Sequence, residues 1–293
     1  MASTTAEAAT QLSIRPYAPT DEAAVLNLAG ADRLPGQPLT TPAMLAEALA
    51  GRSPIDTGWW AELEPPTTEV IHDETGRVLG VVSYTRRPSD DAGFILWLHC
   101  REDPAVAEAL TAHALERLGT RMVHAFEFAS ALTLGLEGLP ARHRPATLKA
   151  LKAAGFTGRD LWRYMRADLP IAGLPHAAHV TVTECEDPPG RRLEAREGGE
   201  VLAEATIGRP VAGIGVLWWI SVAPPARGRG LGLALLGSAL DLLTGLGARE
   251  AILYVDDDAP PGGAERDRTA ANALYDRAGF TEVDRLHSFT RRP

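Results

Sequence analysis

Between Leu217 and Leu233 the chain places two guanidinium groups and three glycines in one short stretch, Arg227-Gly228-Arg229-Gly230-Leu231-Gly232. An apolar strand that stops at Pro224-Pro225 precedes it, and an apolar helical run from Leu231 to about Leu243 follows. Glycine lets the backbone turn sharply and brings its N–H groups close to a ligand. The first turn of the helix adds N–H groups with no internal partner and the positive end of a dipole, which together suit a phosphate. Arginine forks match phosphate oxygens. The stretch predicts a diphosphate cradle built from Arg227, Gly228, Arg229, Gly230, Leu231, Gly232 and Leu233. A Walker A loop would end in Gly-Lys-Ser/Thr, and a dinucleotide fingerprint needs a third glycine where Leu233 stands.

Two carboxylates could move a proton beside such a site: Glu204 in mid-strand and Asp256 where the strand Ala251–Val255 ends. Either could equally be an ordinary surface carboxylate. His287, in the last strand, could titrate near neutrality or serve only structure. The run Asp256-Asp257-Asp258 lacks the interleaved spacing of a calcium loop, and no metal is expected. Adjacent strand residues face opposite sides, so one of Trp218 and Trp219 packs inward and the other does not. Trp59-Trp60 reads as core packing, with the wall of an acceptor pocket as the alternative.

The elements that must position these groups occur twice. Gly76-Arg77-Val78-Leu79 is echoed by Gly199-Glu200-Val201-Leu202, Leu96-Trp97-Leu98 by Leu217-Trp218-Trp219, and Ala154-Gly155-Phe156-Thr157 by Ala278-Gly279-Phe280-Thr281. The order is kept at an offset of about 120 residues, the size of a domain rather than of a solenoid repeat. The expected organisation is a mobile tail over 1–10, a first domain over 11–168, a linker over 169–178 and a second domain over 179–293. The first half predicts helices starting near Thr20 and Thr41, strands at 68–72, 78–85 and 94–99, a helix at 104–118, a strand at 122–128, a helix at 145–153 and a strand at 161–167. The second half predicts a strand meander from Val180 to Gly208, then the cradle strand and helix, the strand at 251–255, a helix at 269–278 and a closing strand at 281–291. It has no helical pair after its opening strand, and residues 258–268 read as a surface loop.

A net charge of −9 argues against nucleic acid as a partner and favours a cationic or neutral acceptor. Cys100 and Cys185 are the whole cysteine complement, too few for a disulfide framework or a zinc site, which suggests a reducing, cytoplasmic home. No run is long and apolar enough for a membrane span. Met1–Thr10 lacks the regions of a signal peptide. Nothing in the sequence indicates an oligomer.

Arg227, Gly230 and Gly232, following Val222-Ala223-Pro224, form an Arg-x-x-Gly-x-Gly pattern that resembles the acetyl-CoA pyrophosphate loop of the GNAT acyltransferase superfamily. The resemblance extends over nearly the whole chain, although the loop itself occurs in the second half only. It implies an α/β (α+β) fold of two tandem GNAT-like domains, each a mixed, mostly antiparallel sheet flanked by helices. It also implies acetyl-CoA as acyl donor, with its pantetheine arm along Ile220, Ser221 and Val222 and its diphosphate on the amides of Arg229 to Leu233. A backbone N–H near Val222 would polarise the thioester carbonyl. Tyr275 falls where the family commonly has a tyrosine that protonates the departing thiolate. Seven residues earlier the family usually has an asparagine; here Arg268 stands there, placed to reach a CoA phosphate, while Asn272 lies on another face of the helix. In tandem members with this layout an acidic acceptor contact stands four residues ahead of the paired strand segment, and this chain has Val216. The first half reads Cys100-Arg101-Glu102-Asp103-Pro104 at the cradle position, which implies a degenerate copy that shapes the acceptor site. The implied reaction is direct attack of an amine, from a small molecule or a peptide, with Glu204 or Asp256 taking the proton. The rival is a non-catalytic acyl-CoA-binding sensor that retains the fold.

Overall fold

A computed structural model describes residues 12–256 and 269–293. The first half runs β1 (Ser13–Pro16), α1 (Glu22–Ala31), α2 (Pro42–Leu49), α3 (Thr57–Trp60), β2 (Thr67–His72), β3 (Val78–Arg87), β4 (Ala92–His99), α4 (Pro104–Leu118), β5 (Val123–Ala125), β6 (Leu139–Pro140), α5 (Pro145–Ala153) and β7 (Thr157–Asp168). The second half runs β8 (Val180–Glu186), β9 (Pro189–Glu197), β10 (Glu200–Gly208), β11 (Ile214–Val222), α6 (Leu231–Gly245), β12 (Glu250–Val255), α7 (Thr269–Arg277) and β13 (Thr281–Arg291). The expected tail over 1–10 and the loop over 258–268 lie outside the described residues.

Local chemistry explains most element ends. Thr41 caps α2 by accepting from the Met44 amide at 3.2 Å, and Pro42 occupies a first-turn position where a missing N–H costs nothing. The strand expected over 122–128 is only Val123–Ala125, because Phe126 adopts a left-handed φ of 57° and turns the chain away.

The described strands form one 13-stranded sheet ordered β1-β2-β3-β4-β5-β13-β7-β12-β11-β10-β9-β8, with β6 beside β13. The two halves of the sheet are joined by exchange of their closing strands. β7, the last strand of the first half, pairs with β12 of the second, and β13, the last of the second, pairs with β5 of the first. β7 and β13 pair antiparallel with each other at the centre. In each half the strand bearing the repeated tryptophan motif pairs parallel with its neighbour for only a few residues, β4 with β5 at Gly93–Ile95 and β11 with β12 at Ile214–Leu217. Beyond those points the strands part.

On one face of the second half, Leu235, Leu236, Leu240 and Leu243 of α6 pack on Ile207, Leu217 and Leu253. Each fully buried leucine contributes about 2 kcal/mol. The opposite face is covered by the first half: Leu34, from the α1–α2 connection, packs with Tyr164, Val216, Ile252 and Leu286. The segment expected as a linker lies on α6, where the Ala177 amide donates to Ala234 O and Ser238 Oγ at 3.1 Å each. A Cβ on Gly237 would meet the Pro175 carbonyl at 2.2 Å, so this close approach requires glycine. No described helix is long and apolar enough to cross a membrane.

Candidate active site

The chain leaves β11 at Val222, passes through a 3₁₀ turn at Pro224–Ala226 and reaches α6 through Arg227–Gly230. Gly228 and Gly230 hold φ of 74° and 76°, the left-handed region that a side chain strains. Gly230 is the N-cap residue and offers no side-chain acceptor. Among the described residues, the amides of Arg229, Gly230, Leu231, Gly232 and Leu233 donate to nothing. The cradle therefore presents a run of free N–H donors at the positive end of a 15-residue helix. Arg227 Nε donates back to the Val222 carbonyl at 3.1 Å, and Arg229 pairs with Glu197 at 3.1 Å. Both side chains are exposed.

The strand edge leading into the cradle is also open. The Ala223 amide donates to Leu202 O across to β10. Antiparallel ladders alternate, so the amides of Ile220 and Val222 point the other way, toward β12. There the parallel pairing has already ended at Leu217 opposite Leu253. Trp218 is the extra residue of a β-bulge, since Thr206 pairs with Trp219 and Ile207 with Leu217. Its ring is half-buried against Gly135 and Gly208, where added Cβ atoms would meet it at 2.4 and 2.7 Å, whereas Trp219 is 52 % exposed.

α7 closes the same site from the other side. A Cβ on Gly232 would lie 3.4 Å from Val222 Cγ2 and 3.8 Å from Leu274 Cδ2, so strand end, cradle and α7 meet at this glycine. Tyr275, next along α7, is buried at 6 % and meets Phe280 edge-on with ring centres 6.1 Å apart. Asn272 is buried too, donating to the Asp256 carbonyl at 3.3 Å and accepting from Arg163. It ties α7 to the end of β12 and so places Asp256 beside the parted strands. Arg268 lies outside the described residues. Glu204 faces away from α6, because its neighbours Ala203 and Ala205 belong to the α6 core, and it accepts from Ser221 Oγ at 3.4 Å. His287 is paired with Asp160 at 2.8 Å and stacks on Phe289.

The corresponding place in the first half is already filled. Asp103 caps α4, its Oδ1 accepting from the amides of Ala105 at 2.9 Å and Val106 at 3.1 Å, and Pro104 removes another donor. Glu102 accepts from Arg144, from the Ala146 amide at 2.6 Å and from the Thr147 amide at 3.0 Å. Beside it, Asp32 accepts from the Cys100 amide at 3.1 Å and from His99 at 3.2 Å, with Arg144 at 3.4 Å. Burial works to raise the Asp32 carboxyl, but His99 and Arg144 outweigh it and hold it below its usual range.

The first half also covers the face of the second-half sheet opposite α6. Gln37 Nε2 donates to Tyr254 Oη at 2.9 Å and to Tyr164 Oη at 3.2 Å, while its Oε1 accepts from the Leu134 amide at 2.8 Å. Tyr254 Oη donates to Leu134 O at 2.6 Å. The loop between β5 and β6 is thereby fixed over the parted strands. Sequence reasoning missed this loop, since no local signal links Leu134–Glu137 to strands more than eighty residues away. Of the tryptophan pair in α3, Trp60 is buried, donating to Ala129 O at 3.2 Å, and Trp59 is 53 % exposed.

Residues 159–280 match the acetyltransferase (GNAT) family. A mycothiol acetyltransferase of a Nocardioides species is 27% identical to the chain over 288 residues, which covers 83% of this chain and 92% of that protein. The mycothiol acetyltransferase of Pseudarthrobacter chlorophenolicus is 38% identical over 200 residues, 51% of this chain and 59% of that one. Among solved structures, a tandem GNAT protein from the clavulanic acid biosynthesis pathway superposes with a TM-score of 0.63 at 18% identity, covering 96% of this chain and 98% of that one, a likeness of fold.

Proposed function

We propose that the chain is a tandem acyltransferase of the GNAT type, as the family match over 159–280 and the likeness to mycothiol acetyltransferases support, and that it moves an acetyl group from acetyl-CoA to an amine, with the active site in the second half. The observation that carries this reading is the contrast between two helix starts in one chain. α6 begins with free amides behind two left-handed glycines, and α4 begins with its amides taken by Asp103. Only the first arrangement suits a diphosphate. The division into a first domain over 11–168 and a second over 179–293 belongs to the same reading.

In this reading the amides of Arg229 to Leu233 hold the diphosphate, with Arg227 and Arg229 adding charge at its rim and Arg268 a further cation for a phosphate. The pantetheine arm runs along Ile220, Ser221 and Val222, with the outward Ile220 N–H donating to it, and the Val222 N–H donates to the oxygen that gains charge when the thioester carbonyl is attacked. Acetyl-CoA supplies the activated acetyl carbon. Tyr275, one residue from the Gly232 contact, gives its phenolic proton to the departing thiolate. Glu204 and Asp256 are carboxylates available for the proton released by the amine. The acceptor is a small cationic amine, in keeping with the −9 charge. Mycothiol-type substrates of the relatives are not assigned, because Val216 is fully buried in the apolar cluster with Leu34 and Ile252.

Calorimetric titration with acetyl-CoA, followed by release of free thiol on a panel of primary amines, tests the reading. One-site binding with turnover is expected. Tyr275→Phe should keep the affinity and lose turnover about 10²-fold or more. Binding without acetylation of any amine would favour the sensor instead.

A further inference from the structure

The loop between β5 and β6 does more than cover the second-half sheet. Gly135 lies against the Trp218 ring at the bulge, and Leu134 and Leu136 pack in one cluster with Trp162, Trp218 and Tyr254. Tyr254 and Gln37 pin Leu134 by both its carbonyl and its amide. Glu137 comes three residues later on this anchored segment and is half-buried. Leu136, before it, packs in the cluster with Trp162 and Tyr254, and a Cβ on Gly138, after it, would lie 3.0 Å from Leu286 Cβ and 3.1 Å from the His287 amide nitrogen. Trp162 and Tyr164 share a face of β7 by strand alternation, and Tyr164 is the register partner of Tyr254 on β12. Glu137, between Leu136 and Gly138, therefore lies at the face opposite α6, over β7 and β13, with β12 the next strand of the sheet.

We propose that Glu137, contributed by the first half, is the general base of the second-half site, taking the proton of a cationic primary-amine acceptor; this rests on the acetyl-transfer reading above. The ammonium gives one proton to the Glu137 carboxylate, and the free amine forms the C–N bond at the acetyl carbon. The C–S bond then breaks, Tyr275 gives its phenolic proton to the thiolate, and the proton shed by the amide nitrogen restores the phenol by way of solvent. Glu137 returns its proton to solvent, so the balance is one acetamide, one thiol and one proton from an ammonium and a thioester.

The surroundings suit this task. The charged groups that act on Glu137 are Asp56, at the start of α3, and the Glu127–Arg159 pair, whose own separation is 3.7 Å. Asp187 of the β8–β9 hairpin approaches Asp56, and His287 of β13 is engaged by Asp160. Two neighbouring carboxylates and one distant guanidinium leave a negative field that draws an ammonium in. Burial, with Asp56 adding repulsion, pushes the Glu137 carboxyl up to about 7. A base with that affinity is part-ionised at neutrality and takes a proton with useful driving force.

The test combines two readouts on the full chain. Carbon-13 NMR of carboxyl-labelled glutamate should show one resonance with a midpoint near neutrality that disappears in Glu137→Gln. With acetyl-CoA and spermidine, glucosamine and lysine as probes, the native protein should show an acidic limb in kcat/KM near the same pH. Glu137→Gln should lower kcat/KM by about 10² to 10⁴-fold and abolish that limb, with acetyl-CoA affinity unchanged. An ordinary carboxylate midpoint, or an unchanged limb in Glu137→Gln, overturns the assignment. A native protein that binds acetyl-CoA and acetylates no amine overturns the acetyl-transfer reading and this role with it, while the NMR titration separately reports on the Glu137 environment.

Discussion

Substituting Gly230→Asp would rebuild at α6 what Asp103 does at α4. Asp103 spends one carboxylate oxygen on the amides two and three residues ahead, at 2.9 and 3.1 Å. From position 230 the equivalent amides are those of Gly232 and Leu233, which have no acceptor among the described residues. A Cβ there meets nothing within 4 Å, so sterics do not oppose the change. The left-handed φ of 76° does, at about 1–2 kcal/mol, less for aspartate. A helix cap returns about 1 kcal/mol, so net stability should move by about 1 kcal/mol at most. Binding should respond far more. Two charge-assisted hydrogen bonds to a diphosphate, each contributing about 1.5 kcal/mol, are exchanged for bonds to the protein's own carboxylate. The loss of about 3 kcal/mol weakens acetyl-CoA by about 100-fold. Calorimetry at fixed salt measures it, with Gly230→Asn as the control that bears the same backbone strain without the charge and should lose far less. If Gly230→Asp binds acetyl-CoA as tightly as the native chain while remaining folded, the cradle is not where the diphosphate sits.

Other outcomes follow from the packing. Gly36, with φ of 79°, lies where a Cβ would approach Ile252 Cγ2 and Tyr164 Oη at 2.7 Å each; Gly36→Ala should cost about 2–4 kcal/mol in urea unfolding by adding overpacking to strain. Asp32 has its folded affinity for protons depressed by His99 and Arg144, so its contribution is fully present above the ordinary carboxylate range and fades as pH falls through the lower folded value. Asp32→Asn should cost about 3 kcal/mol at neutral pH and flatten the acid limb of a stability–pH profile. Asp103→Ala should cost about 1 kcal/mol and leave acetyl-CoA stoichiometry at one site, because Glu102 and Pro104 still obstruct the first-half helix start.

The left-handed glycine turn and the open helix start behind it were legible because their determinants are local. Glycine permits left-handed φ, a helix start exposes amides, and strand periodicity marks which residues share a face; none of these needs a distant partner. The same locality made the internal duplication readable and exposed Cys100–Pro104 as a poor anion site. Asp103 and Pro104 are short-range cap signals. Strand partnership is another matter. Thr157–Asp168 and Thr281–Arg291 read as strands from their own residues, but nothing in either stretch specifies that each pairs with the other half. That choice depends on register across more than one hundred residues and on which faces must be buried together. The closing of Leu34, Gln37 and Leu134 over the second-half sheet is set by the same long-range packing. Glu137 shows the difference most directly: alone it is one carboxylate in a glycine-containing loop, and only its burial in the folded chain, with the charge of Asp56 adding repulsion, raises its carboxyl and changes its chemistry.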